Sequence, residues 1–260
     1  MSQQTGESHG WSTVPRRGSR VVVTGALGGL GRGLTQALRD LGAAVIGLDH
    51  PDALSAAVPT DGDVLAADIT DPSAVRAAVD TAADRLGGID AVIGAAGVVD
   101  TIHRAETFAY EAFTSDLDAN LSGQFALARA AFTHLQQAES PAIVFVASQA
   151  GLDGLPGQVS YAASKAGLIG LTTSLASEWI GDRIRVNAVA PGMFGTPKVL
   201  AMPQSARDRM LATVPMGRIG TVDEVVGPIL FLLSPAAGYI TGRTLRLDGG
   251  AGLALTGLFR

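Results

Sequence analysis

The chain has 260 residues, 47% of them hydrophobic and 17% charged, a globular composition that excludes a disordered chain, and one fold of this length buries roughly three quarters of the surface its unfolded chain exposes. A formal net charge of −5 offers no clustered basic footprint for a phosphate backbone or an anionic bilayer. With no cysteine there is no disulfide, thiolate nucleophile or thiolate metal site, so the reading is a cytoplasmic, metal-free protein with neither nucleic acid nor membrane as partner.

Residues 1–19 are polar and aperiodic and read as a flexible leader before one domain over 20–260. Arg16-Arg17 imitates a twin-arginine export signal only superficially, because the apolar stretch behind it stops at Val21-Val22-Val23. Seven short apolar runs follow, at 21–23, 44–48, 64–66, 91–95, 142–147, 184–189 and 244–247. Runs without alternation are what strands covered on both faces show. Helix-length segments lie between them, at 29–41, 72–86, 105–137, 160–180 and 222–233, several opened by start signals such as Asp71-Pro72. This alternation predicts an α/β fold, a doubly wound Rossmann-type three-layer sandwich with a seven-stranded parallel sheet. Right-handed crossovers put every strand's C-terminal end on one edge, where ligands bind at the switch in strand order. The longest irregular piece, 190–204, with the residues on to 215, is expected to form a substrate lid.

The first strand ends Val23-Thr24-Gly25 and runs through Ala26-Leu27-Gly28-Gly29-Leu30-Gly31 into a helix. Glycine suits a tight strand-to-helix turn whose backbone must approach a pyrophosphate resting on the helix N-terminus. The second strand closes on Asp49, whose carboxylate can accept both hydroxyl hydrogens of an adenosine ribose and would repel a 2′-phosphate, which points to NAD rather than NADP. Asp68, after the third strand, is placed either to contact adenine, with Ile69, or to cap a turn.

The fifth strand ends Val146-Ala147-Ser148, and Tyr161-Ala162-Ala163-Ser164-Lys165 opens a helix in which i,i+4 spacing puts the phenol and the ammonium on one face. The phenol's ordinary pKa is ~10, and an ammonium ~4 Å away contributes about 4 kcal/mol at an effective dielectric of ~20, enough for a depression of order two units. Tyr161 is then expected to exchange a proton with a substrate oxygen that also takes a hydrogen bond from Ser148.

In these residues the chain resembles the short-chain dehydrogenase/reductase family in its compact branch. Thr24-Gly25-x-x-x-Gly29-Leu30-Gly31 matches that family's TGxxxGxG loop, and Tyr161-x-x-x-Lys165 with Ser148 upstream matches its active-site motif. Asn120-Leu121-Ser122-Gly123 is similar to the segment bearing the family's asparagine, whose carbonyl holds a water of a proton relay to the lysine. Pro191-Gly192-Met193-Phe194-Gly195-Thr196 is similar to the PGxxxT segment that holds nicotinamide, with Thr196 on the carboxamide. The chain departs from the family after the fourth strand. Gly94-Ala95-Ala96-Gly97 stands where NNAG is usual, so the asparagines that tie the central strands are absent, while backbone amides of Ala95, Ala96 and Gly97 can still line the cofactor cleft.

The resemblance implies reversible hydride transfer between NAD and a secondary alcohol or its ketone, with Tyr161 as base or acid, Lys165 lowering its pKa and holding ribose hydroxyls, Ser148 polarising the carbonyl and Asn120 supporting the relay. Apolar residues near the expected pocket, among them Val98, Leu152, Leu155, Met193, Phe194, Leu200 and Met210, favour an apolar or cyclic substrate, and serve equally as core or subunit contacts. Three other functions stay open. A 3-oxoacyl-thioester reductase would prefer NADPH and a basic docking face, against which Asp49 argues; a dinucleotide sensor without catalysis would have no need of Ser148, Tyr161 and Lys165 together; an extended-family epimerase or dehydratase carries a larger C-terminal domain. The family further implies a homotetramer, and the apolar tail from Leu253 through Phe259 is compatible with burial between subunits.

Overall fold

The computed structural model describes residues 12–56, 63–99 and 102–253. The seven apolar runs become the strands β1 (Arg20–Thr24), β2 (Ala44–Asp49), β3 (Val64–Ala66), β4 (Ala91–Gly94), β5 (Ala142–Val146), β6 (Arg185–Pro191) and β7 (Thr244–Leu247). They form one sheet in the order β3-β2-β1-β4-β5-β6-β7, every pair parallel. Successive side chains alternate between its faces. Val22, Ile46, Val92, Ile143 and Val186 therefore enter one core, and Val21, Val23, Val45, Ile93 and Val144 the other.

The first core is closed by α3 (Pro72–Leu86), α5 (Gly123–Leu135) and α7 (Val159–Glu178), the second by α1 (Gly29–Asp40) and α10 (Asp223–Leu233). Helices on both faces make the three-layer, Rossmann-type sandwich. The central strands are buried along their length, whereas the outer strands β3 and β7 are only partly covered, as edges are.

Three stretches differ from the sequence reading. The short helix α2 (Pro51–Ala56) buries no residue and so carries no apolar periodicity to announce it. The single helix expected over 105–137 is divided into a 3₁₀ turn at Ala105–Thr107, α4 (Tyr110–Leu117), a π turn at Asp118–Ser122 and α5. The π turn holds Asn120, whose side chain is drawn to the loop after β4. The irregular piece after β6 contains α8 (Pro197–Leu200) and α9 (Gln204–Leu211); one further helical turn, α6 (Ala150–Asp153), follows β5.

Of the leader expected over 1–19, residues 1–11 lie outside the described residues, as do 254–260 of the apolar tail. Residues 12–19 lie against the domain: Ser12 accepts from Ala236 N–H at 3.1 Å, Gly18 N–H donates to Gly42 at 2.8 Å, and Arg16 pairs with Glu139 at 2.7 Å. Among the described residues no helix is long and apolar enough to cross a membrane.

The start signal at Asp71-Pro72 is realised as a cap. Asp71 Oδ1 accepts from Ser73 N–H at 2.8 Å and Ala74 N–H at 3.2 Å, and Pro72 fills a first-turn position whose N–H would have had no partner. Asp71→Ala is expected to lower stability by about 1 kcal/mol, within the range for loss of an N-cap, measured as a shift in the urea midpoint at unchanged slope; an unmoved midpoint contradicts the capping role.

Candidate active site

Strand order reverses between β1 and β4, so crossovers leave on opposite faces there and open a cleft at their C-terminal ends. Thr24, Gly25, Asp49, His50, Ile69 and Ala96 line it. Gly25 has φ +67°, and a Cβ built on it would stand 2.9 Å from the Ala96 Cα. A Cβ on Gly31 would overlap the Gly25 carbonyl oxygen. Glycine is thus required at both positions, by conformation and by close approach. Helix α1 is preceded by Gly28, which offers no side-chain cap, and has no acidic residue in its first turn, leaving its first N–H groups to an anion.

Asp49 ends β2 at the cleft. Its Oδ2 accepts from Leu27 N–H at 2.7 Å and its Oδ1 from His50 N–H at 2.8 Å; a carboxylate with about four acceptor positions keeps capacity for a further donor on each oxygen. Asp68 shows the turn role: Oδ1 accepts from Thr70 N–H at 2.9 Å and from its hydroxyl at 2.7 Å, and these bonds hold the carboxyl below its ordinary value. Its Oδ2 lies 3.7 Å from His50 Nε2. Arg32 donates Nε to the Leu27 carbonyl at 2.8 Å, bringing a guanidinium to the glycine loop.

Ser148 lies just beyond β5, its Oγ accepting from Ala150 N–H at 3.1 Å and sharing a hydrogen bond with the Tyr161 hydroxyl. Tyr161 and Lys165 sit one turn apart on α7, as their spacing predicts. Lys165 is buried, its Nζ donating to the Val146 carbonyl at 2.8 Å and lying 5.7 Å from the centre of the Tyr161 ring. Asn120 is fully buried; its Oδ1 accepts from Val98 N–H at 2.9 Å and its Nδ2 donates to the Val98 carbonyl at 3.0 Å. Gly97 makes room where the two meet: a Cβ there would lie 2.6 Å from Asn120 Oδ1 and 3.3 Å from Lys165 Nζ.

The electrostatics correct one expectation. Lys165 was expected to draw the phenol's pKa down, whereas burial pushes Tyr161 above its ordinary value and the Ser148 hydrogen bond offsets this only in part. Burial also pulls the Lys165 ammonium down to about 8. The lysine's charge is held at a carbonyl rather than at the hydroxyl, so desolvation governs both groups.

The segment after β6 reaches the same cleft. Pro191 accepts from Gln149 N–H and Gly192 N–H donates to Leu247, each at 2.9 Å. Thr196 uses its hydroxyl to cap α8, accepting from Val199 N–H at 3.3 Å, and a Cβ on Gly29 would stand 2.7 Å from Pro197 Cδ. Lys198 Nζ donates to the Val99 carbonyl at 2.6 Å, so α8 touches both the glycine loop and the loop after β4. Met193 and Phe194 are half-buried, and Leu155 is exposed.

Two side chains that the sequence reading passed over belong here. His50 follows Asp49 directly but belongs to none of the motifs. Gln124 is fully buried and donates Nε2 to the Ala96 carbonyl at 2.7 Å, while Thr24 Oγ1 accepts from both Ala95 and Ala96 N–H at 3.1 Å. An amide one helical turn after Asn120 is the signal that could have found it.

Against known proteins, the family model described as enoyl-(acyl carrier protein) reductase matches residues 25–252. The 3-oxoacyl-[acyl-carrier-protein] reductase FabG of Thermotoga maritima is 35% identical over 240 residues, 90% of this chain and 97% of that protein. The cis-4-hydroxycyclohexanecarboxylate dehydrogenase of Sinomonas cyclohexanicum is 36% identical over 235 residues, 88% of this chain and 94% of that one. Among solved structures, gox2181 superposes with a TM-score of 0.85 at 30% identity, covering 93% of this chain and 98% of its own.

The depressed Lys165 pKa has a definite sign. From about 8 up to 10.5 the unfolded chain holds this proton and the folded chain does not, so stability rises with pH across that window and the burial penalty is complete below it. Lys165→Met is therefore expected to stabilise the fold at pH 7 by on the order of 1–3 kcal/mol, with the gain shrinking as pH approaches 10.5. Thermal unfolding of both proteins across pH checks this, and a lower midpoint for the variant at pH 7 overturns it.

Proposed function

The chain belongs to the short-chain dehydrogenase/reductase family, oxidoreductases that use a nicotinamide dinucleotide, and from that premise we propose that it interconverts a secondary alcohol and a ketone on an apolar or cyclic small molecule, with NAD as cofactor. The observation that carries the reading is the meeting of Ser148, Tyr161, Lys165 and Asn120 at one strand-end cleft. The open α1 N-terminus and the glycine loop from Gly25 through Gly31 fit a pyrophosphate, Asp49 fits a ribose diol, and Asp68 with Ile69 fits an adenine edge. Ala95, Ala96 and Gly97 would form the inner wall; Pro191, Gly192 and Thr196 would hold the nicotinamide, with Leu155, Met193 and Phe194 on the substrate side.

When bound, the nicotinamide supplies the hydride chemistry. Ser148 donates a hydrogen bond to the substrate oxygen, and Tyr161 exchanges the proton with it. Because burial holds the phenol above its ordinary value, Tyr161 is protonated at neutral pH and stands ready as the acid for ketone reduction; alcohol oxidation, which needs the phenolate, is the direction favoured by higher pH. Lys165 supplies positive charge beside the phenol and hydrogen-bond donors for ribose hydroxyls. The Asn120 amide is occupied by Val98, so its part in the relay falls to the main-chain carbonyl within the π turn. Lengthwise exposure of small and apolar residues on α5 and α7, such as Phe125, Ala163 and Ala166, fits assembly as a homotetramer, and we place the protein in the cytoplasm.

A second reading, an NADPH-dependent 3-oxoacyl-thioester reductase, is favoured by the near full-length likeness to the Thermotoga maritima reductase and by the Arg32 guanidinium at the glycine loop. One assay separates the two. A panel of cyclic and acyclic ketones and 3-oxoacyl thioesters, each followed at the nicotinamide absorbance with NADH and with NADPH, is expected to show turnover of apolar ketones with NADH; strong NADPH preference on thioesters moves the assignment to the second reading. In the same assay Tyr161→Phe should fold, bind NADH and lose about 10²–10⁴-fold in turnover, and a variant keeping half the wild-type rate refutes the proton-transfer role.

A further inference from the structure

We propose that Gln124 is a positioning residue for the dinucleotide cleft, holding the Ala96 peptide against the glycine loop; the proposal rests on the dinucleotide-binding reading above. The loop Gly94-Ala95-Ala96-Gly97 has no side chain that can hydrogen-bond, so its conformation must be set from outside. From β1, Thr24 Oγ1 accepts from the Ala95 and Ala96 N–H groups, each at 3.1 Å. From α5, Gln124 Nε2 donates to the Ala96 carbonyl at 2.7 Å. Ala96 is thus gripped through both its N–H and its carbonyl.

Asn120 and Gln124 stand four residues apart and take hold of Val98 and Ala96 respectively. The two amides clamp the loop on either side of Gly97, the residue whose missing side chain makes room for Lys165 Nζ. Ala96 in turn touches Gly25, where a Cβ would stand 2.9 Å from its Cα, so any slack in Ala96 passes directly to the glycine loop. Gly94 and Gln124 are sterically coupled as well, because a Cβ on Gly94 would overlap Gln124 Oε1.

Packing alone does not account for an amide here. Gln124 Oε1 is buried with no partner among the described residues, and a buried acceptor left unpaired costs stability. Methionine has similar length and fills the same space; it removes the unpartnered Oε1 but also the donor that holds the Ala96 carbonyl. A role in packing and a role in holding Ala96 therefore predict opposite results for Gln124→Met.

NADH binding is titrated by its fluorescence, and thermal unfolding measured without dinucleotide, for the wild type, Gln124→Met and Gly94→Ala. Gln124→Met is expected to unfold at the wild-type temperature or above it while its Kd for NADH rises about three- to tenfold, with KM for the dinucleotide moving more than kcat. Gly94→Ala, which displaces the amide without removing it, should raise the Kd in the same direction and keeps the proposal testable should the methionine variant fail to fold. A wild-type Kd in either folded variant overturns the positioning role, as does a lower unfolding temperature with unchanged Kd. A wild type that binds neither NADH nor NADPH overturns the dinucleotide reading itself.

Discussion

A parallel sheet buried on both faces offers its chain few places to present polar groups, and the ends of its strands are the chief of them. Here the consequence is geometric. Thr24, Asp49, Ser148 and Pro191 lie at or just beyond the C-terminal ends of four different strands, and parallel register brings them to one edge of the molecule. The split between β1 and β4 supplies a further ingredient, a gap between the covering helices at that edge. Chemistry on this fold follows from where the backbone hydrogen-bond ladder stops.

The same burial sets the proton chemistry. Coulomb attraction from an ammonium can depress a neighbouring phenol, but the attraction acts at the distance the lysine actually takes, and Lys165 is held by the Val146 carbonyl. Taking two ionisable groups out of water penalises the charged form of each. The phenol rises and the ammonium falls, so the pair is arranged around a neutral tyrosine. Burial therefore keeps the phenol protonated at neutral pH and works against the lysine's charge at the same time.

The parts of this architecture that local sequence patterns can carry were legible. Each strand lies within a residue or two of its apolar run, and Ser148, Tyr161 and Lys165 come together because a strand end and an i,i+4 spacing are local facts. What local pattern does not carry is set by long-range contact. Asn120 is read from its motif, but its hold on Val98, 22 positions away, is not, and Gln124, bonded to a residue 28 positions away, is not singled out at all; no periodicity in the 105–137 stretch encodes the π turn that accompanies those bonds. Helix α2 has no buried face to leave a pattern. The sign of the Tyr161 shift was missed because spacing reveals which groups are neighbours but not how far water is excluded from them.

Cofactor choice is where local electrostatics and whole-chain likeness pull apart. A likeness of 35% across nearly the full length shows the family, which leaves the few side chains at the cleft free to differ. At this ribose edge the charges are mostly negative: Asp49 at the end of β2, Asp52 within 3.6 Å of His50, and Asp68 within 3.7 Å of it. A 2′-phosphate carries further negative charge and would meet these carboxylates with Arg32 as counter-charge, whereas a ribose diol offers donors that Asp49 can accept. One guanidinium already bonded to the Leu27 carbonyl is a weak match for that field, and this imbalance of charge is the ground on which NAD is proposed over the phosphorylated form.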